Sequence, residues 1–205
     1  MTDHAQNRTR PVGDRALLIE LADNRLVHAA AALVRARYGE ALAEVVPGHQ
    51  TLLVVGRNGP VHIDLESLAA ADPAPRAPVQ IAVRYDGADL EAVASALGVS
   101  AEAVVAQHAG AQYTVAFMGF APGFPYLICE PSSPLLELPR RATPRTRVPA
   151  GSVAVAAGYC GIYPQASPGG WNLLGHTELR LFDPQRDPPA LLEPGMSVRF
   201  APVRT

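Results

Sequence analysis

The 205-residue chain contains no lysine, and its 17 basic residues are all arginine. This absence excludes a Schiff-base lysine, a biotin-carrying lysine and a Walker-type phosphate loop, which needs a lysine beside its glycines. If the protein works with ATP, it must therefore use arginine side chains or a partner protein.

Cysteine is also scarce, since Cys129 and Cys160 are the only two. Two thiols do not make a disulfide framework, and alone they lack the ligand spacing of a metal site. No apolar signal core opens the chain, and no apolar run approaches the ~18 residues that a membrane span needs. We therefore expect a cytoplasmic protein with reduced cysteines, no metal site and no membrane contact.

Neither sign of charge is in excess, because the formal net charge is −2. With 48% apolar and 18% charged residues, the composition is typical of a globular protein. General nucleic-acid-binding proteins are normally strongly basic, so nucleic acid is not an expected partner.

Residues 117–177 stand out because they combine nine prolines with eight glycines. Proline fixes φ and glycine permits conformations closed to other residues, so this mixture favours rigid loops between short strands. Four arginines (Arg140, Arg141, Arg145 and Arg147) lie in the stretch, against only two acidic residues. We interpret it as a site for a small anionic molecule; the alternative is a set of tight turns at the ends of a β-barrel.

The first part of the chain predicts a strand, a helix, two strands joined through Pro47-Gly48 and a second helix. The predicted ranges are Ala16–Leu21, Arg25–Tyr38 with Asn24 as its cap, Leu42–Val46, Leu52–Val55 and His62–Ala71. This order is typical of a ferredoxin-like α+β unit. Three prolines in Asp72–Pro78 indicate a boundary, so the predicted domains are 1–78 and 79–205.

The second part predicts a β-barrel with helical caps, which makes the whole chain α+β. The predicted helices are Leu90–Leu97, capped by Asp89, and Ala101–His108, capped by Ser100. The predicted strands are Val79–Tyr85, Tyr113–Phe117, Ser152–Ala157, Leu179–Phe182 and Ser197–Ala201.

Guanidinium groups bind carboxylate or phosphate through charge-assisted hydrogen bonds, so the arginines are the main candidates for anion binding. Arg140 and Arg141 are adjacent and point to opposite faces of an extended chain; we expect no more than two of the four to reach a substrate. His108 ends a predicted helix, where it either compensates the helix dipole or faces the cleft and exchanges protons.

We assign the catalytic roles to His108 and Arg145. The residues expected to bind substrate are Phe120, Pro122, Phe124, Tyr126, Arg140, Gly151, Ser152, Tyr163, Ser167, Gly169, Gly170, Trp171 and His176. Gly151 is expected to bring a backbone N–H close to the ligand, and Trp171 is either a platform or a core residue. No serine or cysteine lies in a G-x-S-x-G motif, which disfavours a Ser–His–Asp hydrolase.

Five motifs follow one another in the second part. They are GFAPGFPYL (119–127), PRRATPR (139–145), VPAGSVAVA (148–156), GIYPQASPGGWNLLGHT (161–177) and LFDP (181–184). In this order they closely resemble the family of the 5-oxoprolinase B subunit, which overlaps allophanate hydrolase subunit 1 and the KipI-type kinase inhibitors. The chain departs from the family at Tyr159-Cys160, where Gln-Thr is usual, and at His176, where arginine is frequent.

The resemblance implies an N-terminal α+β domain followed by a cyclophilin-like barrel, and two partner proteins, the C subunit and the A subunit of the enzyme. The C subunit is a second cyclophilin-like protein, and paired with this chain it looks like the carboxyltransferase part of urea carboxylase. The complex is expected to open 5-oxo-L-proline to L-glutamate, with ATP as a cofactor of the complex and not of this chain alone. A KipI-type inhibitor of a sensor histidine kinase and an allophanate hydrolase subunit 1 remain as alternatives.

Overall fold

The computed structural model describes residues 8–64 and 77–203. The chain divides into two compact units, with the division between residues 75 and 76. Except for Ala77 and Pro78, the predicted boundary segment Asp72–Pro78 lies outside the described residues.

The first unit is a four-stranded antiparallel sheet with one α-helix on it. Its elements are β1 (Arg8–Val12), β2 (Ala16–Glu20), α1 (Asn24–Tyr38), a 3₁₀ turn (Gly39–Ala41), β3 (Leu42–Pro47) and β4 (Thr51–Gly56). The strands lie in the order β1-β2-β4-β3. The buried face of α1 carries Val27, Ala30 and Val34 at helical spacing, and it packs with Ile19 and Leu52 of the sheet.

Helix α1 begins where the sequence predicts, but Asp23 is its cap and not Asn24. The Asp23 carboxylate accepts the N–H of Leu26 at 2.9 Å. Asn24 is buried, and its Nδ2 donates to the carbonyls of Gly48 and His49. Asn24 therefore ties the helix start to the turn between β3 and β4.

The ferredoxin-like arrangement of this unit is not confirmed. The described part has two strands before α1 and an entirely antiparallel sheet. Residues 62–64 of the predicted second helix are not helical, and residues 65–71 lie outside the described part.

The second unit contains two short helices and nine strands among residues 77–203. They are β5 (Val79–Val83), α2 (Leu90–Leu97), α3 (Ala101–Gly110), β6 (Tyr113–Met118), β7 (Pro125–Cys129), β8 (Arg145–Val148), β9 (Ser152–Ala156), β10 (Tyr159–Ile162), β11 (Ser167–Gly169), β12 (Asn172–His176) and β13 (Ser197–Pro202). Ser100 caps α3 as predicted, its Oγ accepting from the N–H of Ala103 at 3.2 Å.

Seven of these strands form one sheet in the order β12-β9-β10-β7-β6-β13-β5. The sheet curls until its two edges nearly meet: the backbones of Arg84, just after β5, and His176 of β12 exchange two hydrogen bonds of 2.9 and 2.8 Å. Gly87 N–H adds a bond of 3.1 Å to the Leu174 carbonyl. The fold is therefore mixed α+β, mostly sheet, with a nearly closed barrel-like sheet.

The barrel-like sheet is covered on both faces, as β9 shows most clearly. Val153 and Val155 join the inner core, whereas Ala154 and Ala156 join a second apolar cluster on the opposite face. All five residues of β9 are buried, because successive side chains of a strand point to opposite faces.

One predicted strand is wrong, and several strands were not predicted. Residues 179–182 form no strand; Phe182 makes only an isolated bridge to Ala190. Strands β1, β7, β8, β10, β11 and β12 fall in segments interpreted as loops or left unassigned. No single helix in the described residues is long and apolar enough to span a membrane; α2 and α3 reach that hydropathy only together, across a 92° bend.

The seam between Arg84 and His176 predicts a steric limit at Gly175. A Cβ there would lie 2.4 Å from the Arg84 carbonyl oxygen and 2.9 Å from Val83 Cγ1. We expect Gly175→Ala to destabilise the second unit by about 1–3 kcal/mol, measured by urea unfolding with the fluorescence of Trp171, the only tryptophan. Gly110→Ala is the matched control, since nothing lies within 4 Å of its added Cβ. Equal losses in both variants would contradict the closed seam.

Candidate functional site

A buried carboxylate organises the arginines of the central stretch. Asp89 has a side chain only 4% exposed, and Arg145 donates to its two oxygens from Nη1 and Nη2, each at 2.8 Å. Arg141 Nη1 donates to Oδ1 at 2.5 Å, and the Leu173 N–H to Oδ2 at 2.8 Å. We call these four residues the Asp89 cluster.

The electrostatics of the Asp89 cluster favour the ionised acid. Burial acts to raise the pKa of Asp89, but the hydrogen bonds from Arg145 and the Leu173 N–H and the charges of both arginines outweigh it, so the pKa lies below its usual value. The hydrogen bond to Asp89 in turn raises the pKa of Arg145. One negative and two positive charges leave the cluster with an excess positive charge.

The Asp89 cluster changes the interpretation of two predicted residues. Arg145, the predicted catalytic arginine, and Arg141 both bind an internal acid, so neither has all of its guanidinium donors available for a ligand. Asp89 was predicted only as a helix cap, yet its side chain makes no capping hydrogen bond to α2. No local pattern marks this role, because its partners lie 52 to 84 residues away in the chain.

Arg140 and Arg147 are exposed, and within residues 8–64 and 77–203 neither forms an ion pair. Arg140 lies close enough to Tyr126 and Tyr163 for its charge to act on both phenols. Burial raises the pKa of each phenol, and Arg140 partly opposes that rise. Arg140 is therefore the predicted substrate-binding arginine that lies near two phenol rings.

The rings beside Arg140 form a continuous aromatic cluster. Its members are Phe117, Phe120, Phe124, Tyr126, Tyr159, Tyr163 and Trp171. Phe124 is at its centre, with ring centroids 5.2 Å from Tyr163 and 5.6 Å from Trp171, both edge to face. Phe124, Tyr163 and Trp171 are almost fully buried, so Trp171 is mainly a core residue of this outer face.

Phe120 differs from the other rings because it is 61% exposed and has a φ of +64°. Such a conformation is strained for a residue with a Cβ, and it is found preferentially at functional sites. Its ring still contacts the aromatic cluster, with centroids 5.3 Å from Phe124 and 6.3 Å from Tyr163. Pro122, in the same turn, is also exposed.

The two glycines of residues 167–170 (the SPGG segment) allow the backbone to approach the aromatic cluster. A Cβ on Gly169 would lie 2.3 Å from the Tyr163 hydroxyl, so no larger residue fits. The Gly170 carbonyl accepts a hydrogen bond from the Arg141 N–H at 2.7 Å, which joins this segment to the loop of residues 139–141 (the PRR loop). The Ser167 hydroxyl is buried and has no hydrogen-bond partner among the described residues.

Three further predicted residues, Gly151, Ser152 and His176, lie together beside the backbone of Tyr163. The Gly151 N–H donates to the Tyr163 carbonyl at 2.7 Å, so the expected donor to a ligand is already used within the fold. Ser152 is buried at 5% exposure, and His176 Nε2 lies 3.1 Å from Glu178 Oε1. A Cβ on Gly151, whose φ is +80°, would meet the His176 ring.

His108 lies in the core of the second unit with no exposed surface. Its Nδ1 is 2.7 Å from the Tyr85 hydroxyl and its Nε2 is 3.3 Å from Cys160 Sγ. Burial lowers the pKa of His108 to about 3, so the ring is neutral. The expectation that His108 faces a cleft is therefore wrong in this structure. Burial also raises the pKa of Cys160, which disfavours a reactive thiolate.

Comparison with known proteins gives a consistent match. Residues 7–192 match the family model described as "Carboxyltransferase domain, subdomain C and D". The chain is 45% identical over 176 residues to the 5-oxoprolinase B subunit of Escherichia coli O157:H7, covering 80% of this chain and 79% of the relative. It is 36% identical over 220 residues to the protein of the same name from Bacillus subtilis strain 168, covering 94% and 91%.

Among solved structures, the crystal structure of TTHA0988 in space group P212121 superposes with a TM-score of 0.79 at 38% identity. The match covers 94% of this chain but only 41% of TTHA0988. The chain thus spans about two fifths of that structural relative.

The Asp89 cluster predicts a large cost for removing the acid's charge. We expect Asp89→Asn to destabilise the second unit by about 1–3 kcal/mol, because two partly exposed arginines lose their buried partner and its hydrogen bonds. Since the folded pKa of Asp89 is depressed, this difference from wild type should hold above pH 3.8 and shrink as the pH falls below it. Trp171 fluorescence during urea unfolding at several pH values measures it.

The matched control is Asp86→Asn, because Asp86 pairs with Arg84 where both side chains are 40–50% exposed. Exposed pairs contribute little to stability because solvent screens them, so this variant should stay near wild type. A similar small loss in both variants would contradict the structural role of Asp89.

His108 predicts a second pH dependence. Between pH 6.5 and about 3 the unfolded chain binds a proton at this residue that the folded protein does not. Its contribution to the unfolding free energy should therefore fall by about 1.4 kcal/mol per pH unit as the pH drops below 6.5. His108→Gln should remove that slope in urea titrations. If the unfolding free energies of variant and wild type changed with pH in the same way, His108 would not be a buried, neutral residue in the folded protein.

Proposed function

The chain belongs to the family of the carboxyltransferase domain, subdomain C and D, and on that premise we propose that it is the B subunit of a 5-oxoprolinase complex. One observation carries the proposal: the 45% identity to a protein of that name over 80% of this chain and 79% of the relative. The name itself describes one subunit of several, so we propose that this chain works only together with an A subunit and a C subunit.

The chemistry of the site is compatible with this role. 5-Oxo-L-proline carries one carboxylate on a small ring, and Arg140 offers a cation near Tyr126 and Tyr163. Hydrolysis of the lactam C–N bond gives L-glutamate and is coupled to ATP hydrolysis. We assign the ATP site to the complex, and to this chain the positioning of the acid.

Two side chains that would otherwise suit proton transfer or nucleophilic attack lie in the barrel core. His108 and Cys160 are both fully buried and contact each other. This placement supports a binding subunit whose partners supply the chemistry. We retain from the sequence the finer assignments of a cyclophilin-like barrel and a cytoplasmic location; the nearly closed seven-stranded sheet supports the first.

Reconstitution tests the proposal directly. We expect L-glutamate and ADP to form from 5-oxo-L-proline and ATP only when this chain is combined with homologues of both the A subunit and the C subunit. Mixtures that omit one protein at a time are the controls. Coupled assays for ADP and glutamate should give one of each per ring opened.

Two other results would replace the proposal by the alternatives from the family resemblance. Suppression of sensor histidine kinase autophosphorylation by this chain, with 5-oxo-L-proline left intact by all three proteins, would indicate an inhibitor of KipI type. Ammonia release from allophanate without ATP would indicate an allophanate hydrolase subunit 1.

A further inference from the structure

Beside the Asp89 cluster lies a cavity of about 230 Å³. Its wall is formed by one face of α2 and by the loop that contains Arg140 and Arg141. The lining residues are Asp89, Ala92, Val93, Ala96, Leu138, Pro139, Arg140, Arg141 and Asn172. The small side chains of Ala92 and Ala96, one helical turn apart, are what leave the space open.

The charges at this cavity favour an anion. Among the described lining residues Asp89 is the only acid, and its oxygens already accept four hydrogen bonds. Arg140 and Arg141 in the lining and Arg145 bound to Asp89 bring three positive charges against it, which leaves an excess of two. No other acid among the described lining residues would compete for Arg140.

Unused hydrogen-bonding groups are also present in the lining. Arg141 Nε is buried without a partner among the described residues, although its Nη1 binds Asp89. Asn172 Nδ2 donates to the carbonyls of Pro139 and Val155, at 3.0 and 3.2 Å. These two acceptors fix the orientation of the amide, so Oδ1 is the atom of Asn172 left to accept a hydrogen bond.

We propose, relying on the proposed function only for the choice of probe, that this cavity binds a small carboxylic acid that carries an N–H group. The carboxylate pairs with Arg140 at the rim and with the guanidinium of Arg141. The N–H donates to Asn172 Oδ1, and the apolar body of the ligand lies on Ala92, Ala96 and Leu138. A five-membered lactam acid has this set of groups.

Calorimetric titration of the isolated chain tests the cavity without any turnover. We expect 5-oxo-L-proline to bind, cyclopentanecarboxylate to bind more weakly because it lacks the lactam N–H, and 2-pyrrolidinone to show no binding because it lacks the carboxylate. Equal binding of 2-pyrrolidinone and 5-oxo-L-proline would overturn the proposal, as would no binding of 5-oxo-L-proline.

Two variants locate the site. Arg140→Gln should weaken 5-oxo-L-proline binding about 10-fold or more, by loss of a charge-assisted hydrogen bond. Ala96→Leu should weaken it similarly while keeping every charge, because it fills the cavity from an exposed helix position. Arg147→Gln is the matched control, since Arg147 is exposed and does not line the cavity, and it should bind as wild type.

The outcomes separate the cavity from the proposed function. Binding that is unaffected by Arg140→Gln and Ala96→Leu, or reduced equally by Arg147→Gln, would overturn the cavity as the site. Turnover by the assembled complex without binding to the isolated chain would also overturn it and leave the proposed function standing. Binding with this pattern of variants, but no turnover by the assembled complex, would support the cavity and reject the proposed function.

Discussion

The second unit depends on the buried carboxylate of Asp89. Asp89 directly precedes α2, and three partners from elsewhere in the chain bind its two carboxylate oxygens. They are Arg141 in the loop before β8, Arg145 at the start of β8 and the backbone of Leu173 in β12. A buried charge is tolerated only when it is paired and hydrogen-bonded. Because two guanidinium groups and a backbone N–H meet this requirement together, the loop between Pro139 and Arg145 is held in one conformation although it has no regular structure.

The outer face of the barrel explains why so many aromatic and glycine residues occur in one stretch. Inward-facing residues such as Val153 and Val155 fill the barrel, and the side chains at the alternating positions point outward and need other residues to bury them. The rings of Phe124, Tyr163 and Trp171 bury that outer face. Gly161 makes room for these rings, since a Cβ there would lie within 3 Å of both Phe124 and Trp171. The same packing that completes the fold leaves Phe120 exposed and Tyr126 half-buried, within reach of the charge of Arg140.

Local sequence signals predicted local structure well and long-range pairing poorly. Helix α2 was predicted with its observed bounds, and Ser100 was the correct cap of α3, because caps act within three residues. Strands β11 and β12, of three and five residues in a Gly- and Pro-rich segment, carry no alternation of their own and form only against β8 and β9. Arg145 was assigned to catalysis because Asp89, 56 residues away, cannot be recognised as its partner from sequence.

The positions of the arginines also argue for the division of labour between this chain and its partners. Arg141 and Arg145 build the site, since they neutralise Asp89, while Arg140, the adjacent residue, is exposed. Arg140 and Arg141 both line the cavity beside Asp89. A cation near two phenol rings and a cavity can orient an acid, but orientation alone does not break a lactam bond. The histidine and thiol that could assist are buried in the core. In the proposed function, ring opening therefore needs groups that another protein of the complex brings to the acid bound by this chain.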